Sequence, residues 1–143
     1  VISKNNDNFI SKIKKLSKIK KELSVINDQI TAINFSSYIS EATSKILKKI
    51  ENNPDNENRW GIYHLSGNEP GSWFDFARYA QKMNTLSDPN SSFSQTKILP
   101  ISSREFNQKA KRPNYSFLAS DKLKNDFGIS LPNWKKSISK VIG

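Results

Sequence analysis

The sequence contains no cysteine, one histidine and only five glycines among its 143 residues. Without cysteine, a disulfide scaffold, a thiolate nucleophile and the common cysteine-ligated zinc sites are excluded. The single histidine, His64, falls in a predicted strand, where a packed or hydrogen-bonded structural role is more common than a place in a Ser-His-Asp triad. No apolar run approaches the roughly 20 residues of a membrane-spanning helix. We therefore expect a cytoplasmic protein with no membrane partner and no metal site.

The glycines are too scattered to form a dinucleotide-binding turn. Such a turn needs glycines at G-x-G-x-x-G or similar spacing, because the backbone must approach a pyrophosphate at a helix N-terminus. The glycines here are Gly61, Gly67, Gly71, Gly128 and Gly143. No such pattern passes through them, so we expect no residue of this chain to bind a nicotinamide cofactor.

What the sequence does contain is a large excess of positive charge. Its 23 Lys and Arg residues outweigh 13 Asp and Glu, for a formal net charge of +10. This excess suggests a phosphate-bearing partner, whether nucleic acid, anionic membrane or nucleotide. Nineteen of the basic residues are lysines, beside many asparagines and isoleucines. An AT-rich genome produces that bias without selection for binding, so a solvated lysine surface is the favoured interpretation.

In the first half of the chain, apolar residues at helical spacing predict two amphipathic helices. One face of the first helix carries Phe9, Ile10, Ile13, Leu16 and Leu23. Its other face carries Lys12 and five further lysines, as a solvated face does. The second helix runs from Ser36 or Ser37 to Ile50. Between the helices, Leu23–Ile26 reads as a strand that ends in the polar turn Asp28-Gln29.

The second half alternates strands and helices. Bulky apolar residues predict a buried strand at Trp60–Leu65 and another strand at Thr96–Ile101. Helices are expected from Trp73 to Met83, from a Ser120 cap to a stop at Gly128, and from Trp134 to Val141, while the polar stretch 84–95 reads as a mobile loop. Residues 51–59 are expected to form an exposed connector, and Ser102 and Glu105 a second capping box. The three tryptophans should anchor the core. This order predicts the α/β class, or α+β for the isolated chain, with helices packed on a small sheet.

Two separated motifs carry more specific information. Gly61–Gly67 runs into Ser72–Ala77, in which Ser72 and Asp75 have the spacing of a helix capping box. The second motif is Lys111–Leu118, which overlaps the stretch Lys109–Tyr115; this stretch reads as an extended loop, because Pro113 disfavours helix at the residue before it. Together the two motifs resemble the C-terminal part of dTDP-4-dehydrorhamnose reductases, within the extended short-chain dehydrogenase/reductase superfamily.

The resemblance implies a substrate-side portion of an NAD(P)-binding Rossmann-type reductase. It implies that NADH or NADPH, bound elsewhere on the parent protein, reduces dTDP-4-dehydro-L-rhamnose to dTDP-L-rhamnose. The superfamily's catalytic Tyr-x-x-x-Lys is not in this sequence, because no lysine stands four residues after any of its four tyrosines. We therefore expect a fragment that transfers no hydride by itself.

The same resemblance implies a division of the chain. Residues 1–143 form a single C-terminal substrate-binding region. Within it, 1–66 include the last strands and helices shared with the Rossmann domain, and 67–143 form the sugar-nucleotide-binding lobe.

The first group of candidate substrate-binding residues is Asp28, Gln29 and Asn34. They stand where the family has Asp-Gln-x-Gly-x-Pro-Thr, but Thr31, Ile33 and Asn34 replace the family's Gly, Pro and Thr. These replacements change the backbone freedom of the loop. A plain polar turn is the alternative interpretation.

The second group is Lys111, Arg112 and Pro113, in a segment that fits the family's Arg-Pro-x-x-Ser-x-Leu pattern more closely. A guanidinium can engage two oxygens of a diphosphate at once, Lys111 adds a point charge, and Pro113 stiffens the approach. The family's usual acidic or amide residue after the final leucine is Ala119 here. The alternative is a surface loop whose Arg112 pairs with a carboxylate.

Two other functions remain open at this point. A basic nucleic-acid-binding module would explain the charge, although no helix-turn-helix, RNP-like or zinc pattern is present. A non-catalytic, reductase-like regulatory subunit would explain the altered 28–34 loop. We favour the dTDP-sugar as partner over nucleic acid, and the sequence leaves a homodimer open.

Overall fold

The computed structural model describes residues 1–3, 7–54, 59–106 and 110–142. The strands in these ranges are β1 Glu22–Ile26, β2 Ile30–Thr31, β3 Gly71–Ser72 and β4 Lys97–Ile101. The helices are α1 Phe9–Ser17, α2 Ser36–Glu51, α3 Trp73–Ser87, α4 Ser92–Gln95, α5 Asp121–Phe127 and α6 Trp134–Ile142. None of these helices has both the length and the apolar character that crossing a bilayer requires.

The centre of the fold is a parallel pair of strands, β1 and β4. Leu23 lies opposite Ile98, and Val25 lies opposite Pro100. Parallel strands end at the same edge of a sheet, so the turn after β1 meets the turn after β4 there. A short antiparallel pair, β2 with β3, lies beside this edge. The predicted strands at Leu23–Ile26 and Thr96–Ile101 and the predicted α/β class, with helices on a small sheet, are thereby confirmed.

The main core lies between this sheet and helices α1, α3 and α6. Phe76 and Ile138 have no exposed surface. The ring of Phe76 meets Trp134 edge-on, at 4.9 Å between centroids. Trp73 is partly buried and packs against the same cluster, which draws on residues from Ile2 to Ile138. Both halves of the sequence therefore build one core, and two of the three tryptophans anchor it.

A second, smaller core lies between α2 and α5. Its buried members are Ala42, Leu123, Phe127, Ile129 and Leu131. Gly128 ends α5 with φ of 62°, the left-handed conformation that glycine adopts without strain. The predicted helix and its glycine stop are confirmed, but the Ser120 hydroxyl hydrogen-bonds to Ser66 and does not cap α5.

The capping box predicted at the start of α3 is present. The Ser72 hydroxyl oxygen accepts from the Asp75 amide at 3.0 Å, and the Asp75 carboxylate accepts from the Ser72 amide at 2.8 Å. A similar arrangement begins α1, where the Asn8 side chain accepts from the amides of Ile10 and Ser11. These caps satisfy helix amides that have no partner within the helix.

The strand predicted at Trp60–Leu65 is wrong. This segment pairs with no strand among the described residues, and Gly61 has φ of 134°, which interrupts a β conformation. Trp60 is 69% exposed and Ile62 is 84% exposed, so Trp60 does not anchor the core. The segment is held by hydrogen bonds from side chains, among them Tyr63 Oη to the Asp126 carboxylate at 2.7 Å. The apolar composition of this segment indicated that its side chains would be buried, but neighbouring elements do not cover Trp60 and Ile62.

Two other boundaries differ from the prediction. α1 ends at Ser17, and Leu23 belongs to β1. The stretch 84–95 is not an irregular loop, because α3 continues to Ser87. In addition, the side-chain Nδ2 of Asn84 donates to Ser91 Oγ at 2.6 Å. Serine and asparagine, which favour loops by composition, here hydrogen-bond to one another and order the connection to α4. The exposed connector predicted at 51–59 lies partly outside the described residues.

Gly71 provides a test of the packing beneath α3. A Cβ at this position would lie 2.7 Å from Cε1 of Phe76, whose ring is fully buried. Gly71→Ala should therefore lower the free energy of unfolding by about 1 to 3 kcal/mol, as overpacking does. Urea denaturation measures this. The penalty should shrink in a Phe76→Leu background, and an equal penalty in both backgrounds would show that this contact is not the cause.

Asn34 provides a second test, because its side chain holds the segment that replaces the predicted strand. Its Oδ1 accepts from the buried Gly67 amide at 2.7 Å, and its Nδ2 donates to the Leu65 carbonyl at 3.5 Å. Asn34→Ala should cost about 1 to 3 kcal/mol of unfolding free energy, because a buried amide loses its partner. Asn34→Asp keeps the acceptor and should cost less. Urea denaturation that gives equal losses for both variants would contradict this role.

Candidate functional site

A groove opens where the carboxyl end of β1 meets α1, with a volume of about 470 Å³. Pockets that bind small molecules in proteins are typically of about 300 to 1,000 Å³. One face of α1 forms a wall, residues of β1 form the floor, and Phe106 and Arg112 form the opposite rim. Ligands of α/β proteins often bind at this edge of the sheet, outside the carboxyl ends of the strands.

Asp28 lies at this edge and is engaged with the turn that follows β4. Its carboxylate accepts from the Ser103 amide at 2.9 and 3.0 Å and from the Ser103 hydroxyl at 2.9 Å. The turn itself is closed by Glu105, which accepts from the Ser102 hydroxyl at 2.6 Å. This hydrogen bond holds the pKa of Glu105 below its usual value. The predicted Ser102-to-Glu105 box is therefore present, and Asp28 positions the turn that carries Phe106.

Gln29 and Arg112 both line the groove. Gln29 is only 5% exposed, so it presents a buried amide group at the groove floor. Arg112 comes from a different part of the chain and is exposed on the rim. Two residues predicted from separate motifs thus meet at one concave surface.

The loop that carries Arg112 is fixed by main-chain hydrogen bonds to β2. The Ile30 amide donates to the Asn114 carbonyl at 2.7 Å, and the Ser116 amide donates to the Ile30 carbonyl at 2.9 Å. Ile30 directly follows Gln29, so the same short segment places both groove residues. The loop predicted at 109–115 is confirmed as extended for residues 110–115, and residue 109 lies outside the described ranges.

The remaining predicted residues do not line the groove. Lys111 and Pro113 are exposed on either side of Arg112. Asn34 faces the 65–67 segment, to which its side chain is hydrogen-bonded. Asp28 and Asn34 therefore hold neighbouring backbone in place, and Gln29 and Arg112 are the two predicted residues that reach the cavity.

The groove also contains residues that sequence reasoning did not select. Helical periodicity predicts Lys12 on the solvated face with the other lysines, but Lys12 lines the groove. The signal was available, because Lys12 lies three residues after Phe9 and four before Leu16, on the side where neighbours on a helix meet. Trp73 also lines the groove, although capping and core packing alone explain its motif.

The two cations of the groove lie outside the salt bridges of the described residues, although Lys12 is close enough to the Asp7 carboxyl to help Lys15 lower the pKa of that group. Neither Lys12 nor Arg112 forms a salt bridge in the described part of the chain, where the paired lysines are Lys15, Lys45, Lys97, Lys122 and Lys135. The interpretation of Arg112 as one half of a surface ion pair therefore finds no partner among these residues. A ligand with two negative charges would meet both cations at the rim.

A larger cavity of about 690 Å³ lies between α3 and α6. None of the six predicted residues lines it. Its charged pair, Glu69 and Lys135, is joined at 2.6 Å, and Asn133 donates to the same carboxylate. Arg78 and Lys82 also line this larger cavity, so positive charge does not distinguish it from the groove. We assign the smaller groove as the candidate site because Gln29 and Arg112, two residues predicted from the sequence, line it.

No group of three or more His, Asp or Glu residues suited to a metal ion occurs in the ranges that the structure describes. His64 is exposed on the 60–65 segment, so the packed role predicted for it is wrong, and the alternative of a hydrogen-bonded role stays a prediction. The groove thus offers cations, a buried amide and aromatic rings. It is suited to binding an anionic, ring-containing ligand.

Comparison with known proteins places these features in a family. The whole chain, residues 1–143, matches the family described as RmlD substrate binding domain. It is 34% identical over 142 residues to the dTDP-4-dehydrorhamnose reductase of Sinorhizobium fredii, which covers 99% of this chain and 46% of that protein.

Solved structures agree with this match. The dTDP-4-dehydrorhamnose reductase of Bacillus anthracis, solved in complex with NADP, has a TM-score of 0.75 and 27% identity over 98% of this chain and 44% of its own. That of Clostridium acetobutylicum has a TM-score of 0.76 and 25% identity over 96% of this chain and 44% of its own. The chain thus spans less than half the length of these relatives. It belongs to the dTDP-4-dehydrorhamnose reductase family and corresponds to the family's substrate-binding domain.

Proposed function

We propose that this chain is the sugar-nucleotide-binding part of an NAD(P)H-dependent reductase that converts dTDP-4-dehydro-L-rhamnose to dTDP-L-rhamnose. The observation that carries the proposal is the convergence of Gln29 and Arg112 on one groove. They come from two separate segments that resemble the family's patterns, 28–34 and 111–118, and are 83 positions apart in the sequence. Family membership supplies the substrate class, and the groove supplies cations for its diphosphate.

Each predicted residue has a role in this proposal. Arg112 engages two diphosphate oxygens through its planar guanidinium, and Lys111 strengthens the local positive potential. Pro113 limits the freedom of the loop on which Arg112 sits. Asp28 acts indirectly, since it holds the turn that carries Phe106 to the groove, whereas Asn34 holds the 65–67 segment in place. Gln29 presents its amide from the groove floor.

The chemistry is divided between this chain and a cofactor-binding portion of the full-length enzyme. The relatives are about twice as long as the aligned region, and the Bacillus anthracis relative was solved with NADP. This sequence has neither a glycine-rich turn nor a Tyr-x-x-x-Lys. In the proposal, residues 1–66 carry elements shared with the cofactor-binding domain and 67–143 form the sugar-nucleotide lobe of a cytoplasmic enzyme.

Isothermal titration calorimetry with dTDP tests the binding role. Arg112→Ala should weaken dTDP binding about tenfold or more, because a hydrogen-bonded charge pair is lost. Arg104→Ala is the matched control, since Arg104 is also exposed but does not line the groove. Equal affinities for wild type and Arg112→Ala, or equal losses in both variants, would contradict the assignment of the groove. The same titration on the full-length enzyme shows whether the cofactor-binding portion adds affinity.

A second measurement tests the division of labour. The 143-residue chain, mixed with NADPH and dTDP-4-dehydro-L-rhamnose, should leave the NADPH absorbance unchanged, because it lacks a proton donor of the Tyr-x-x-x-Lys type. The full-length enzyme should consume NADPH under the same conditions. Turnover by the isolated chain would show that its own residues carry out the reduction and would overturn this part of the proposal.

A further inference from the structure

We propose that the cavity between α3 and α6 is a second binding site, which takes a small molecule bearing a phosphomonoester group. The phosphate lies on Arg78 and Lys82, and another oxygen of the ligand accepts from the indole N–H of Trp134. The cavity has a volume of about 690 Å³. No residue that lines the groove also lines this cavity, so the proposal stands apart from the proposed function.

The cavity lies on the side of α3 that faces away from the groove. Trp73, the first residue of α3, lines the groove, whereas Arg78 and Lys82 line the cavity. Successive residues of an α-helix are rotated by about 100°, which puts these two side chains roughly 140° and 180° around the helix from Trp73. Ligands in the groove and in the cavity would therefore contact opposite faces of one helix.

Two cations of this cavity are available to an anion. Arg78 and Lys82 are exposed, lie one helical turn apart, and form no salt bridge with any residue that the structure describes. The Arg78 guanidinium donates to Gln81 Oε1 at 3.2 Å, and its other N–H groups are left for a ligand. A phosphomonoester carries about −1.5 to −2 charges at pH 7, so it matches one arginine and one lysine.

The two carboxylates that line the cavity already have donors. Glu69 forms an ion pair with Lys135 at 2.6 Å. Asp75 accepts from the amide and the hydroxyl of Ser72, at 2.8 and 2.7 Å, as part of the cap of α3. Neither carboxylate therefore holds the two cations on α3.

The indole of Trp134 is the observation that points to a ligand. Its ring lines the cavity, and its Nε1 is buried with no hydrogen-bond partner among the residues that the structure describes. Buried tryptophans usually donate this N–H, because an unsatisfied buried donor costs free energy. Edge-on contacts with Phe76 and Tyr79, at 4.9 and 5.4 Å between ring centroids, hold the indole in place. A ligand oxygen at the cavity wall would supply the missing acceptor.

The three tryptophans allow a direct test, because they lie on different surfaces. Trp60 is exposed, Trp73 lines the groove and Trp134 lines the cavity. In proton–nitrogen correlation spectra of the 143-residue chain, glucose 6-phosphate should move the indole signal of Trp134 to lower field until the site is saturated. Neutral glucose should not move it at the same concentrations. No movement of the Trp134 signal, equal movement with glucose, or movement of the Trp73 signal in its place would overturn the site.

Charge substitutions test the phosphate contact. Arg78→Gln and Lys82→Gln should each weaken glucose 6-phosphate binding about tenfold, as loss of a charge-assisted hydrogen bond does. Lys48→Gln on α2 is the matched control, because Lys48 is exposed and lines neither the cavity nor the groove. It should change the affinity by less than about twofold, since distant exposed charges are screened. Equal effects of the three substitutions would overturn the contact, because only net charge would then matter.

A dicarboxylate tests the assignment to phosphate. Succinate has a similar total charge, but each of its carboxylates brings only one negative charge to Arg78 and Lys82. It should bind at least about tenfold more weakly than glucose 6-phosphate, since one charge-assisted contact is lost. Equal affinity for the two compounds would overturn the phosphate assignment.

The outcomes also separate this site from the groove. Lys82→Gln should leave the affinity for dTDP within about twofold of the wild-type value, because Lys82 does not line the groove. Binding of dTDP that depends on Arg112, with no effect of glucose 6-phosphate on Trp134, would leave the proposed function standing and overturn the second site. The titrations are repeated on the full-length enzyme. Loss of glucose 6-phosphate binding there would show that another part of the enzyme covers the cavity, and it would also overturn the proposal.

Discussion

The parallel pairing of β1 with β4 is the contact on which the rest of the structure depends. These two strands belong to distant parts of the chain, and their register aligns Ile26 with Ile101. Because both strands end at the same edge, the turn after β1 lies against the turn after β4. Asp28 then binds Ser103 across this edge, which places Phe106 opposite α1 and closes one side of the groove.

The second element that shapes the site is Ile30, a residue with no polar side chain. Its amide and carbonyl hold the loop of Arg112 through Asn114 and Ser116. The preceding Gln29 enters the groove from the same segment. A cation on an exposed loop is therefore positioned by main-chain hydrogen bonds, which do not depend on side-chain identity. This arrangement explains how the 28–34 loop can depart from the family pattern and still bring its neighbours together.

Sequence periodicity was sufficient where an element's own residues decide its structure. The caps at Ser72 and Gly128 and the strands β1 and β4 follow from local chemistry, and the structure confirms them. The strand expected at Trp60–Leu65 failed because pairing depends on a neighbouring edge, which local sequence does not reveal. Its bulky residues indicated burial, yet Trp60 is mostly exposed.

The candidate site was predictable to a similar degree. Motif resemblance selected Gln29 and Arg112, which reach the groove, together with Asp28 and Asn34, whose side chains are used to hold backbone. Resemblance alone could not distinguish a side chain that reaches the groove from one that holds backbone, because either role is compatible with a polar residue in the motif. Lys12 was missed because it was grouped with five other lysines, although its spacing from Phe9 and Leu16 places it beside the apolar face of α1.

The distance along the chain between β1 and β4 has a consequence for how the protein reaches this structure. The partners Glu22 and Lys97 are separated by 75 positions, so a large loop must close before the sheet can form. Contacts of such long range slow folding, because chain entropy is lost before the contact is gained. During synthesis on the ribosome, α1 and β1 emerge well before β4 and α6 exist to cover their apolar side chains. The apolar side chains of α1 and β1 are therefore exposed until β4 and α6 have been synthesised. Chaperones protect a nascent protein from aggregation during such a period.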